Sequence, residues 1–324
     1  MSGPTGLSAV EQVPHGRTAR RVEWPLLPPM LRRSIEQRLG SPVAHAETAG
    51  AGFTPGFAST LTTKDGRRFF VKAASKKAQA PFAESYREEI RKLRALPPGL
   101  PVPRLLWSHE DDLWVVLALE HVEGSNPSRP WRPVELDACL DTLELLADTL
   151  TPAPVAMRLR PLAAADELGA MFSGWTHVRR HLPDWPHREE ATALAAAHAD
   201  VLGGDSLVHT DARDDNFLLT TGGAVLCDWN WPVLGPAWVD TVLLLISAAG
   251  DGLDADGILA ARRLTSDVDP EHVDVLLALV CGYFMETRDR PVPNSSPYLR
   301  VHSRWYAAAT WDWLARRRGW AAPR

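Results

Sequence analysis

The chain changes its hydrophobic rhythm part-way along. Up to about residue 120 short runs of apolar and β-branched residues alternate with turn formers, and beyond Pro133 apolar positions recur every three or four residues. After the opening residues, PPMLRRSIEQRLG carries prolines at its start, Leu31, Ile35 and Leu39 at helical spacing, and Gly40 as a stop, which predicts a short amphipathic helix. Phe57 to Thr63 and Arg68 to Ala73 read as strands around Lys64-Asp65-Gly66, a hairpin signal. The stretch QAPFAESYREEIRKLRALPPG then places Phe82, Tyr86, Ile90, Leu93 and Leu96 on one helical stripe. Arg104 to His109 and Leu113 to Glu120 predict two more strands, turned by Asp111-Asp112. From there the pattern predicts helices over 133 to 150, 163 to 180, 188 to 202, 237 to 249, 258 to 264, 272 to 286 and 297 to 318. One interruption breaks the helical half. Leu207-Val208 enters a polar loop, an apolar run follows from residue 217, and Thr-Thr-Gly-Gly reverses the chain into Ala224 to Cys227.

Two side chains conflict with their surroundings. Lys72 lies in RFFVKAA on the same face as Phe70 and Ala74, and a Lys among apolar neighbours needs a partner anion. Glu89 falls inside the apolar stripe of the next helix, whereas Glu88 falls on the polar side with Glu84, Ser85 and Lys92. Each carries a desolvation cost if left alone, so the two are expected to pair.

The hairpin in the helical half gathers a different chemistry. VHTDARDDNFLLTTGGAVLCDWNWPVLGPAWVD presents Asp211, Asn216 and Asp228 at one end, with His209, Arg213 and Asp240 close by in the chain. Two carboxylates and an amide on one loop suit phosphoryl transfer from a nucleotide. The arrangement His-x-Asp-x4-Asn followed by a later Asp resembles the catalytic loop of protein kinases and, more closely, that of aminoglycoside phosphotransferases and related small-molecule kinases. Trp229, Gly235-Pro236 and Asp240 continue the likeness.

The resemblance implies an α+β, protein-kinase-like fold of two lobes: an N-terminal antiparallel sheet with a helix, and a mostly helical C-terminal lobe. The lobes are expected at residues 24–122 and 123–324, behind a mobile tail over 1–23. The resemblance further implies that Asp211 is the catalytic base or orients the acceptor hydroxyl, with Arg213 stabilising the phosphoryl group. Asn216 and Asp228 would hold magnesium (Mg2+), and His209 and Asp240 would brace the loop. Lys72, paired with Glu89, would position the phosphates of ATP or GTP. Gly52, Thr54 and Gly56 would form the loop over those phosphates, and backbone groups at Glu120 to Val122 would meet the base. Only eleven residues separate Asp228 from Asp240, too few for the platform on which a peptide substrate lies, so the acceptor is expected to be a small-molecule hydroxyl.

Composition refines this reading in a few respects. A net charge of −5 offers no general attraction to nucleic acid or to an anionic membrane. No run suits a signal peptide or a membrane span, which gives the expectation of a cytoplasmic protein. No GxxxxGK[ST] run occurs, and the three cysteines lack zinc spacing. Nine Asp or Glu against four Arg over residues 251 to 290 would suit a cationic acceptor such as an aminoglycoside, or equally a solvated helix face. An uncharged metabolite as acceptor, or nucleotide binding without catalysis, are the alternatives.

Overall fold

The structure, a computed structural model, describes residues 18–50, 52, 55–158 and 163–320. Five antiparallel strands form the N-terminal sheet: β1 (Val43–Thr48), β2 (Phe57–Thr63), β3 (Arg68–Ser75), β4 (Leu105–Glu110) and β5 (Trp114–Glu120), in the order β1-β2-β3-β5-β4. Alternation along β3 sorts its side chains. Val71 and Ala73 enter a core with Phe57, Leu61, Val116 and Ala118, which helix α1 (Pro29–Leu39) covers with Leu31, Ile35 and Leu39. Ala74 turns to the opposite face, where Tyr86 and Ile90 of helix α2 (Ala80–Ala95) pack with Val115, Leu117 and Leu119. Lys72 shares that parity and so points towards α2.

Strand β1 escaped the sequence reading. It is an edge strand whose side chains are mostly half-buried or exposed, so it has no apolar alternation to announce it. Residues 18–23, assigned by sequence to the mobile tail, correct that expectation. Thr18 is buried and its Oγ1 donates to Gly52 O at 2.5 Å, Arg20 N donates to Ser295 O at 2.7 Å, and Trp24 joins the core beneath α1. Contacts distant in sequence order this segment; residues 1–17 lie outside the described residues.

The second half is helical around a short hairpin. Helices α3 (Pro133–Leu150), α4 (Val155–Arg158), α5 (Ala164–Glu167), α6 (Ser173–His181), α7 (Arg188–Ala196), α8 (His198–Val201), α9 (Val239–Gly250), α10 (Ala255–Ala261), α11 (Pro270–Arg288) and α12 (Leu299–Arg318) enclose it. The expected helix over 163 to 180 is broken into α5, a 3-10 turn at Gly169–Phe172 and α6, and that over 188 to 202 into α7 and α8. Strand β6 (Ser206–Val208) pairs with β9 (Val233–Gly235), and β7 (Phe217–Thr220) pairs with β8 (Gly223–Leu226). Leaving β5, the chain bridges back at Ser125 to Leu219 of β7, which sets the sheet beside the hairpin. Among the described residues no helix is long and apolar enough to cross a membrane.

α6 meets α11 almost backbone to backbone. A Cβ on Gly174 would lie 2.1 Å from Gly282 O, with no flexible side chain to give way. Gly174→Ala is expected to lower unfolding stability by about 1–3 kcal/mol, the usual cost of overpacking. Gly203→Ala, where an added Cβ meets nothing within 4 Å, should stay within roughly 0.5 kcal/mol of the parent. Denaturant unfolding of the two variants checks the contrast, and equal stabilities would contradict the packing argument.

Candidate active site

The loop after β6 is held in a costly conformation. Thr210 has φ 65, a left-handed value that a β-branched side chain rarely adopts. Asp240, in the first turn of α9, accepts from His209 N at 2.6 Å and Thr210 N at 2.7 Å, while Thr210 Oγ1 donates to Trp231 O at 2.9 Å. His209 is buried and its pKa is lowered, chiefly by desolvation. Its ring fits one neutral tautomer: Nε2–H donates to Cys227 O at 2.9 Å, and Nδ1 accepts from Asp211 N at 3.2 Å. One imidazole thus ties the loop to the end of β8. The indole of Trp229 meets the same ring edge-on at 5.0 Å.

Asp211 is gripped from two sides. Asn216 Nδ2 donates to its carbonyl at 2.8 Å and to its Oδ2 at 3.0 Å, and Arg213 Nη1 lies 2.9 Å from its Oδ1. Burial pushes the Asp211 carboxyl up to about 6, against the opposing pull of Arg213. Arg213 also bonds Asp215 through Nε at 3.0 Å. A carboxylate-bound guanidinium stays charged, so the loop carries a fixed cation beside Asp211.

Across from this loop, Lys72 Nζ donates to Glu89 Oε1 and Oε2 at 2.8 and 2.9 Å and to Asp228 Oδ1 at 2.6 Å. The expected Lys72–Glu89 pair is present, and Asp228 makes it a triad. Burial opposes the ammonium, yet Asp228 and Glu89 together hold its pKa above the ordinary lysine value. Burial pushes the Glu89 carboxyl upward against the pull of Lys72. For Asp228 burial also acts upward, but Lys72 outweighs it and keeps the group below the usual carboxylate range. Asp228 itself has φ 67, which Asp tolerates better than most residues.

A cavity of about 440 Å³ lies between sheet and hairpin. Lys72, Asn216 and Asp228 line it, as do Gly52 and, at the far wall, Glu120 and Val122. Gly56 does not. Its lack of a side chain serves close packing, since a Cβ there would meet the Tyr86 hydroxyl at 2.6 Å. Thr54 lies outside the described residues. Glu89 sits behind Lys72, 1% exposed, and Asp211 and Arg213 stand beyond Asn216, outside the lining.

Three residues at the site were missed by sequence reasoning. Asp215 and Arg21 line the cavity. Lys92, placed by the sequence on the polar face of its helix, is 2% exposed and donates to Asn230 O at 2.5 Å. Asn230 Nδ2 in turn donates to Asp228 Oδ1 at 2.8 Å. A second glance at DARDDN would have found Asp215, whereas Lys92 and Arg21 carry no local signal.

The donor set suits a hard dication. Asp228 Oδ2 and Asn216 Oδ1 accept no hydrogen bond from the described residues, because Lys72 and Asn230 use Oδ1 of the Asp and the Asn amide donates through Nδ2. One or two protein oxygens completed by phosphate is the usual complement for magnesium.

Residues 56–274 match the phosphotransferase enzyme family (APH). No curated protein matches the chain by sequence. Solved structures share its fold at low identity. The GDP complex of a point mutant of aminoglycoside 2'-phosphotransferase-IIIa superposes with TM-score 0.60 at 16% identity, covering 90% of this chain and 97% of that one. A thermostable mutant of aminoglycoside phosphotransferase APH(4)-Ia, with ADP and hygromycin B, gives 0.57 at 14% identity over 89% and 98%. A choline/ethanolamine kinase family protein from Mesorhizobium loti gives 0.56 at 15% identity over 89% and 93%. The architecture is therefore α+β and protein-kinase-like. With its family match spanning more than half of the chain, the protein belongs to the phosphotransferase enzyme family.

Proposed function

We propose that the protein transfers the γ-phosphoryl group of ATP, or of GTP, to a hydroxyl of a small molecule. The supporting observation is the convergence of Lys72, Glu89 and Asp228 at the cavity, with Asn216 bonded to both the main chain and the carboxylate of Asp211. Backbone groups of residues 120–122 would take the base, and Lys72 the α- and β-phosphates. The acceptor hydroxyl would meet Asp211. Its oxygen bonds to the γ-phosphorus as the bond from phosphorus to the β-bridging oxygen breaks, the nucleoside diphosphate leaves, and the hydroxyl proton passes to the Asp211 carboxylate. Magnesium held by Asn216 and Asp228 would neutralise phosphate charge. Arg213, expected to touch the phosphoryl group, is bound to Asp211 and Asp215, and in this reading it orients the base. The nucleotide-binding lobe would be residues 24–122 and the acceptor lobe residues 123–324.

The acceptor's charge has lost one argument. Most of the acids of residues 251 to 290 are committed elsewhere: Asp251 to Arg129, Asp256 and Asp274 to Arg317, Glu271 to Arg318, and Asp254 and Asp269 to helix caps. Their excess offers no ground for a cationic acceptor. Incubation with ATP and magnesium and a panel of cationic, neutral and anionic hydroxyl compounds, read by nucleoside diphosphate release and by mass of the product, tests the reaction. Nucleotide binding with no transfer to any acceptor would favour a non-catalytic protein.

Asp211→Asn is expected to lower turnover by on the order of a hundredfold or more while nucleotide affinity stays nearly unchanged, since general-base catalysis contributes ~10² to 10⁴. Because the base acts deprotonated, wild-type kcat/KM should fall with decreasing pH through about 6, where burial has moved the Asp211 carboxyl. A flat profile between pH 5 and 8 would remove Asp211 from this role.

Lys72 and Glu89 should behave as one unit. Lys72→Ala weakens nucleotide use directly and Glu89→Ala does so by releasing the lysine. The double variant should be little worse than either single one, with a coupling energy of ~0.5 to 3 kcal/mol. Strictly additive losses in a double-mutant cycle would refute the linkage.

A further inference from the structure

The segment ahead of the fold threads a cation into the nucleotide cavity. Residues 18–21 run alongside the glycine stretch that closes one wall. Thr18 N donates to Gly50 O at 3.2 Å, Thr18 Oγ1 to Gly52 O, and Arg21 Nη1 to Ala49 O at 3.0 Å. The main chain of Arg20 fastens the same segment to Ser295, just ahead of α12. Arg21 itself lines the cavity together with Lys72, Asp215, Asn216 and Asp228. Its guanidinium reaches under the wall: a Cβ on Gly52, whose φ of +80 already favours glycine, would lie 3.1 Å from Arg21 Nη2. Burial disfavours the charge of this guanidinium, against the opposing pull of Tyr86, Asp228 and Asp215 from the neighbouring elements.

Charge bookkeeping gives this placement a purpose. Around the cavity Lys72 is shared by Glu89 and Asp228, and Arg213 by Asp211 and Asp215, so four carboxylates stand against those two cations. A nucleoside triphosphate would add several negative charges to a region already acidic. Binding it requires positive charge beyond Lys72, and a dication held by Asn216 and Asp228 supplies part. The planar fork of an arginine, which matches phosphate oxygens two at a time, suits the remainder.

We infer that Arg21 is a phosphate-binding residue of the donor site, carried into place by the 18–23 segment and bonding the nucleotide's phosphate oxygens beneath Gly50 and Gly52. The inference rests on the nucleotide-dependent reading of the cavity. It makes the segment ahead of α1 part of the nucleotide site, and it places Arg21 opposite Asp228 across the phosphates.

Calorimetry of the full-length protein with magnesium-ATP and, separately, with adenosine tests this assignment. Arg21→Gln should weaken ATP binding about ten- to hundredfold, the effect of losing a charge-assisted hydrogen bond. Adenosine affinity should stay within about twofold, showing that the base site remains folded. Arg21→Lys, which keeps the charge and loses the fork, should fall between wild type and Arg21→Gln. Thr18→Val, which removes the hydroxyl bond to Gly52 and leaves the guanidinium, should lose ATP affinity to a smaller extent. Unchanged ATP affinity in Arg21→Gln would overturn the inference. Tighter ATP binding would do so too, marking Arg21 as a plug that the nucleotide must displace, and an equal loss for ATP and adenosine would reduce it to a structural residue. If wild-type protein binds neither these ligands nor magnesium-GTP and guanosine, the nucleotide reading itself fails, a result distinct from a variant that binds like the parent.

Discussion

A single buried ammonium sets the relation between the parts of this molecule. Lys72 comes from the third strand, Glu89 from the helix packed on that strand, and Asp228 from the loop after the hairpin, and three carboxylate oxygens meet at one nitrogen. Desolvating such groups costs several kcal/mol per ion, and attraction in the low-dielectric interior offsets it only when the geometry is good. The separations of 2.6 to 2.9 Å meet that condition. A shift of the helix, the strand or the loop by an ångström or two would leave a charge unmatched. The constraint therefore defines the cavity as well as lining it. Lys92, from the same helix, adds a second hold through Asn230 on the loop that carries Asp228.

The loop of Asp211 shows the reverse, with backbone strain compensated by hydrogen bonds. Left-handed geometry at a β-branched residue such as Thr210 costs on the order of 1–3 kcal/mol and persists only when its surroundings over-determine it. Asp240 supplies that surplus with two short bonds to consecutive amides, placed where the start of α9 favours a negative charge. His209 supplies the rest by bonding Cys227 with one nitrogen and the Asp211 amide with the other. The strained turn holds the carboxylate of Asp211 against the amide of Asn216, which lines the cavity.

Much of this was legible in the chain because the features were local. Period-two alternation placed Lys72 on the face of β3 that looks at α2, and the helical stripe placed Glu89 opposite, so their pairing followed from two neighbouring elements. The spacing of Asp211, Asn216 and Asp228 was equally local, a loop and one hairpin. What escaped depended on contacts far along the chain. Lys92 occupies a position that helix periodicity calls polar, and it is buried because the Asn230 loop, 138 residues on, packs over it. Arg21 sits in a stretch whose Arg, Thr and Gly content reads as tail, and the groups that order it lie at residues 49 to 52 and at 295. Strands β1 and β9 failed for a simpler reason: one is an exposed edge, the other three residues long.

In the proposed reaction Asp211, a carboxylate already bonded twice, would have to act as a base. A carboxylate offers about four lone-pair sites across its two oxygens. Arg213 uses one on Oδ1 and the Asn216 amide one on Oδ2, so each oxygen keeps a site from which to accept the acceptor's proton. These two bonds and burial act in opposite directions on its titration. Arg213 favours the ionised form, which holds the base ready, while burial disfavours it and raises basicity. The result, a carboxyl near 6 rather than near 4, is a stronger base than an exposed aspartate and remains mostly ionised at neutral pH. Orientation comes from the same two contacts. A planar guanidinium on one side and a planar amide on the other leave the carboxylate little freedom to rotate, so in the proposed reaction the proton acceptor would be in place before any acceptor molecule arrives.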